Sequence, residues 1–227
     1  MRARAGPGVK DLPAAARETL ARGLEAFHLS PELEAPLAAY LALLLHWNRT
    51  YNLTSLTDPV QMVTHHLLDS LAVRPWVHGS RIADIGSGAG FPGIPLAIAD
   101  PALTVVLVDA VGKKVRFQKQ VILELGLAQV SAVQTRVENY RPERPFDTVI
   151  SRAFAATRDF VALAGHLAGP DGRLLAMKGR DPAAELTDPP APWLVEAVHA
   201  LNVPGLSAVR HVVELRRARN QPPGEKP

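Results

Sequence analysis

Three glycines at alternate positions, Gly86, Gly88 and Gly90, stand between two acids, Asp84 and Asp109, and these five residues have the types and spacing that could do chemistry. Glycine tolerates φ > 0 and leaves its backbone bare, so such a loop turns tightly and lets a ligand reach its amides. Gly88-Ala-Gly-Phe-Pro-Gly93 fits the G-x-G-x-x-G pattern letter for letter, a pattern that carries weight only after a strand and with an acid closing the next strand. Asp109 is that acid, near the roughly 20-residue offset of a ribose-binding carboxylate. The set suits a dinucleotide and S-adenosylmethionine equally. Asp84 tilts the choice, because a carboxylate just ahead of the glycines repels a pyrophosphate and tolerates an ammonium and a sulfonium.

Cations recur at neighbouring positions. Lys113 and Lys114 follow the second strand read below, Arg152 ends the fourth, and Lys178 and Arg180 follow the fifth. In a parallel sheet these share the carboxyl-end rim with the glycine loop. Lys113 and Lys114 also open a helix against its macrodipole, and a local rule broken at a site edge points to function. The rim is expected to hold the phosphates of an anionic partner; for any single lysine a solvated face is the competing reading. Arg152, ending a buried strand, needs a partner. Phe91 is expected to line the cofactor pocket or stack on a base. His65 and His66 are adjacent on a helix and point apart, so they do not chelate one ion. His66, Asp69 and Ser70 read as a packing or capping set, with Asp69 and Ser70 placed to hold the preceding section over the cofactor.

The elements that must position these residues follow from periodicity. Leu12 to Phe27 and Pro31 to Trp47 read as amphipathic helices, the second started by Ser30 and Pro31, and Asp58-Pro59 starts a third running to about Val73. Trp47 to Thr54 breaks the period and reads as a loop. From Arg81 the pattern alternates: strands over 81–86, 104–109, 130–136, 146–152 and 172–178, helices over about 93–99, 112–125 and 157–167. That is an α/β chain with a mostly parallel sheet and helices on both faces. Val195 to Val203 and Arg210 to Leu215 suit an antiparallel hairpin on the sheet edge. The expected division is a disordered N-terminus (1–11), a helical section (12–78) packed on the main domain (79–216), and a mobile basic tail (217–227).

Composition bounds the rest. A chain of 227 residues, 47% hydrophobic and 21% charged, is globular. It has no cysteine, hence no disulfide, thiolate metal site or cysteine nucleophile. No signal core opens the sequence, and Leu41 to Leu45 is too short an apolar run to span a bilayer, so cytoplasm is the expected location and the sequons at Asn48 and Asn52 are discounted. No metal is expected.

Asn52-Leu-Thr-Ser55, His66-Leu-Leu-Asp-Ser70, Asp84-Ile-Gly-Ser-Gly-Ala-Gly-Phe-Pro-Gly-Ile-Pro95, Ile150-Ser-Arg-Ala-Phe154 and Met177-Lys-Gly179 occur in this order. Together they resemble the ribosomal RNA small subunit methyltransferase G family, also called glucose-inhibited division protein B, from about Trp47 to about Gly179. The resemblance implies a Rossmann-like class I methyltransferase that moves a methyl group from S-adenosylmethionine to N7 of a guanine in 16S rRNA. Its partner would be the small subunit or an assembly intermediate, with the enzyme a monomer. Matching motif to motif, the implied cofactor contacts fall on Gly86, Phe91, Asp109, Val137, Glu138 and Arg152. Taken alone, Glu138 also suits a helix cap.

What is missing agrees. An exocyclic amine target goes with an Asn/Asp-Pro-Pro-aromatic loop after the fourth strand, where this chain has Ser151-Arg-Ala-Phe154. A pyrimidine C5 target needs a thiol nucleophile. Guanine N7 needs neither, since it has a lone pair and no proton, so positioning suffices and no general base is expected. The alternatives are an RNA-binding assembly factor with a vestigial cofactor site and a nucleotide-cofactor oxidoreductase.

Overall fold

The computed structural model describes residues 11–154, 156–179, 182 and 189–218. Helix α1 (Ala14–Ala26) leads through a short turn at Pro31–Leu33, where the Ser30 hydroxyl accepts the Glu32 amide at 3.3 Å, into α2 (Glu34–Tyr51). Helix α2 runs one turn past its expected end at Trp47. The polar stretch stays helical because the Trp47 and Tyr51 rings pack at 5.2 Å and Asn48 spends its amide on the next loop. Its Nδ2 donates to the Thr54 carbonyl at 3.0 Å and its Oδ1 accepts the Thr54 amide at 2.9 Å. Asn52 then ends the helix in the left-handed region, φ 47°.

The third helix begins as expected at Asp58, whose carboxylate accepts the Gln61 amide at 2.8 Å. It is not uniform. A four-residue α3 (Pro59–Met62) opens into a π-helical stretch (Val63–Leu68) before α4 (Asp69–Ala72). The wider turn coincides with carbonyls given to side chains. Ser70 Oγ donates to the His66 carbonyl at 2.5 Å and Arg152 Nη1 to the His65 carbonyl at 3.0 Å.

Seven strands form one sheet in the order β3-β2-β1-β4-β5-β7-β6. Strands β1 (Arg81–Ile85), β2 (Thr104–Asp109), β3 (Val130–Gln134), β4 (Phe146–Ser151) and β5 (Ala168–Lys178) are parallel. Helices α5 (Gly93–Ala99), α6 (Gly112–Leu125) and α7 (Thr157–Ala164) cross between them, and the fold class read from the alternation is the one observed. Strand β5 starts earlier than residue 172, at Ala168, and a register shift opposite Phe146 and Thr148 bulges out its residues between Ala168 and Arg173. The last two strands, β6 (Trp193–Leu201) and β7 (Arg210–Arg217), pair antiparallel, and β7 lies between β5 and β6. Arg217, expected to open the mobile tail, belongs to β7 instead. Arg217 stacks on the Trp193 ring at 4.7 Å and donates to the Gly165 carbonyl at 3.0 Å.

Alternate strand residues feed two cores. Ile82, Val105, Leu107, Ile150 and Leu175 join one cluster with Leu20, Leu24, Leu37, Leu41, Leu44 and Phe117, so the N-terminal helices and this face of the sheet share a single interior. Ala83, Val106, Val149, Leu174 and Leu215 join the other with Phe160, Val161 and Trp193 beneath α7.

Candidate active site

The glycine loop is held from three sides. Gly86 and Gly88 sit at φ 65° and 62°, and Gly90 at 105°, conformations that favour glycine. From β2, the Val108 carbonyl accepts the Gly86 amide at 2.8 Å, and Asp109 Oδ2 accepts the Gly88 amide at 2.8 Å. From α6, Gln118 Nε2 donates to Ser87 Oγ and to the Gly88 carbonyl, both at 2.8 Å. From α2, the fully buried Tyr40 hydroxyl donates to the Ala89 carbonyl at 2.7 Å. The N-terminal section therefore builds part of the loop's support rather than merely covering it.

A cavity opens on each side of this loop. One, of about 340 Å³, is lined by Gly86, Asp109, Lys114, Val137, Glu138 and Phe154. The other, of about 200 Å³, is lined by Thr54, His66, Gly86, Gly88, Phe91 and Arg152. Gly86 and Ala153 line both. A Cβ on Gly86 would lie 2.7 Å from the Ala153 Cβ, while one on Gly88 would meet nothing nearer than the Gly86 carbonyl at 4.0 Å. Bare backbone thus fronts an open groove with a carboxylate at one end and a guanidinium at the other. These residues fit S-adenosylmethionine, whose ribose hydroxyls would lie toward Asp109 and whose amino-acid end would lie toward Arg152.

The structure sorts the expected site residues. Gly86, Asp109, Val137 and Glu138 line the first cavity, and Gly86, Gly88, Phe91 and Arg152 the second. Gly90 shapes the turn, since its Cβ would fall 2.3 Å from Ile94. Phe91 is only 4% exposed. Its ring packs against Tyr40 at 5.3 Å and His66 at 4.6 Å, with the Arg152 guanidinium 5.3 Å from its centre, so no face is open for a base. Asp84 does not reach the groove. It is fully buried, its Oδ2 accepts the Gly93 amide at 2.8 Å, and burial raises its pKa to about 7. Its carboxylate therefore does not select the ligand by contact, and the reason for preferring a cationic ligand on its account falls away.

The cations differ among themselves. Lys114 lines the first cavity, 3.9 Å from Asp109 Oδ2. Lys113 turns to the end of α2, where Nζ donates to the Tyr51 carbonyl at 2.7 Å, acting as a C-cap. Lys178 is buried and donates to the Phe154 carbonyl at 3.3 Å. Arg180 lies outside the described residues. Arg152 has the partner its position demanded: Asp69 Oδ2 at 3.1 Å. That pair and the bond to the His65 carbonyl fasten the third helix to the end of β4. His66 is held neutral, its pKa pushed down to about 3 by burial first and by Arg152 second. Its Nε2 lies 3.0 Å from Thr54 Oγ1.

Sequence reasoning missed Arg210. It reaches the same place from the start of β7, with Nε 3.2 Å from Asp69 Oδ1, and only the antiparallel insertion of β7 brings it there.

Residues 33–213 match the model of the family described as rRNA small subunit methyltransferase G. The Ribosomal RNA small subunit methyltransferase G of Aromatoleum aromaticum is 54% identical over 206 residues, covering 88% of this chain and 98% of that protein. Its counterpart from Pseudomonas aeruginosa is 49% identical over 203 residues, 88% and 95%. Among solved structures, TrmN from Thermus thermophilus aligns over 76% of this chain with a TM-score of 0.54 at 18% identity, and the chain spans 52% of its length. A SAM dependent methyltransferase from Aquifex aeolicus aligns over 72% of this chain and 96% of its own, TM-score 0.54 at 16% identity. These last two share the fold. With half of all positions identical across a span that holds the glycine loop, Asp69, Arg152 and Lys178, the chain belongs to the rRNA small subunit methyltransferase G family.

Proposed function

We propose that this protein transfers a methyl group from S-adenosylmethionine to N7 of a guanine in 16S rRNA, within the small subunit or an assembly intermediate. The carrying observation is that the second cavity, at the Arg152 end of the groove, is lined among the described residues by a single imidazole and by no carboxylate. His66 is neutral and a weak base, Asp69 is engaged by Arg152 and Arg210, and Asp84 is sealed beneath α5. A target that had to lose a proton would find no acceptor among these. Guanine N7 loses none: its lone pair forms the new N–C bond while the S–C bond breaks and its electrons stay on sulfur. When bound, S-adenosylmethionine supplies an activated methyl on a cationic sulfur. The chain's own part is positioning: the Gly86–Gly88 backbone seats the cofactor, Asp109 and Glu138 face its adenosine end, and Arg152, fixed by Asp69, faces its amino-acid end.

The test is radiolabelled methyl transfer to small subunits, and separately to their bare RNA, from cells lacking this gene, followed by mapping of the product. The expected product is a single 7-methylguanine, lost in Gly86→Asp. Label on another atom, or on protein, would overturn the assignment.

A further inference from the structure

We infer that a third cavity, beside the Arg152 end of the groove, seats the RNA nucleotide that accepts the methyl group, with Arg210 holding its phosphate; this rests on the rRNA methyltransferase reading above. The cavity measures about 280 Å³ and is walled by His66, Asp69, Arg152, Lys178, Arg210 and His211. His66 and Arg152 also line the second cavity, so one wall separates the two spaces. The three cavities follow one another along the carboxyl edge of the sheet. The first lies against the ends of β2 and β3, the second against β1 and β4, and the third against β4, β5 and β7. A donor lying across the first two therefore ends facing the third.

The charge of the third cavity suits a polynucleotide. Among its described walls the guanidiniums of Arg152 and Arg210 share one carboxylate, that of Asp69, and the anion such a substrate brings is phosphate. Asp69 is the positioning residue. Its Oδ2 accepts a hydrogen bond from Arg152 Nη1 at 3.1 Å, and its Oδ1, which has no hydrogen-bond partner among the described residues, forms an ion pair with Arg210 Nε at 3.2 Å, while the carboxylate side chain itself is 4% exposed. Arg210 is further set by Nη1, 3.3 Å from the Gly179 and Val209 carbonyls. Both guanidiniums are thereby oriented before any ligand arrives, and each keeps part of its surface open to the cavity. An arginine so fixed suits phosphate oxygens, which it engages through paired N–H groups. A single nucleotide lifted out of its stack is the unit a cavity of this size accepts, and lifting a base from its stack is how enzymes reach atoms that stacking conceals.

The experiment measures methylation of small subunits at several salt concentrations by Arg210→Gln, Arg210→Lys and, as a surface control, Arg17→Gln, alongside the dissociation constant of S-adenosylmethionine for each. Arg210→Gln is expected to raise the KM for subunits about tenfold and to flatten the salt dependence of log kcat/KM by about one unit, with cofactor affinity within about twofold of the parent. Arg210→Lys is expected to restore the salt slope while KM stays raised. Wild-type KM and slope in Arg210→Gln would overturn the inference alone, as would a loss of cofactor affinity matching the loss for RNA, which marks a purely structural arginine. No transfer by the wild-type protein would overturn the rRNA reading and the inference with it.

Discussion

Tyr40 shows how one hydroxyl couples distant residues. It is fully buried, and its bond to the Ala89 carbonyl ties α2 to the glycine loop. Tyr40→Phe leaves that carbonyl unpaired in the core and is expected to cost about 1–3 kcal/mol of stability by denaturant unfolding, with weaker S-adenosylmethionine binding by calorimetry. His66 gives a pH signature. Unfolded, it takes a proton near its ordinary pKa of 6.5; folded, it stays neutral to about pH 3. The unfolded chain thus binds the extra proton between those values, so this group's contribution is present above pH 6.5 and is lost progressively as pH falls. Acidifying from pH 7 to 5.5 is expected to cost about 1 kcal/mol more in the parent than in His66→Gln, read as a difference in denaturant midpoint at the two pH values. Asp84 runs the other way. Its raised pKa makes stability decline as pH rises from about 4 to about 7, and Asp84→Asn is expected to remove that decline. Residue roles were unevenly legible. Asp109 and Arg152 announced themselves by ending strands, because topology alone sends a strand-end side chain to the rim. Phe91 and Lys113 did not, since whether a ring is covered or a lysine caps a helix depends on which section packs opposite.

Helices and strands of the α/β part could be placed from the sequence within a few residues, since buried parallel strands are continuous apolar runs and the crossover helices carry a 3.6-residue period. What escaped was local and polar. The last turn of α2 reads as loop until Asn48 is seen bonding the chain that follows. The π-helical stretch has no periodic signature, because the carbonyls it offers are claimed by Arg152 and Ser70 from outside its own pattern. Helix α7 is the sheet's cover on the second face, and Phe160 is its fully buried anchor. Phe160→Ala is expected to cost about 3–5 kcal/mol by thermal or denaturant unfolding. Lys113→Ala removes the cap from α2 and is expected to cost about 0.3–1 kcal/mol.

At the scale of the whole molecule, the N-terminal helices and the sheet share one interior, so the helical section is not expected to unfold by itself: thermal unfolding followed by tryptophan fluorescence and by circular dichroism should coincide. Gly86→Asp, with φ 65° and the Ala153 Cβ in its way, is expected to abolish S-adenosylmethionine binding in calorimetry. Among the described residues no helix is long and apolar enough to cross a membrane.

The sheet order has a consequence for how the chain is made. Strand β7, the last described strand to leave a translating ribosome, is an interior member of the sheet, while β6, which emerges before it, sits beyond it at the edge. Until Arg210–Arg217 is released, β5 lacks its neighbour and β6 has nothing to pair with, and Arg210 cannot meet Asp69. The nascent chain can therefore gather its glycine loop early, but its rim is complete only once β7 has inserted between β5 and β6.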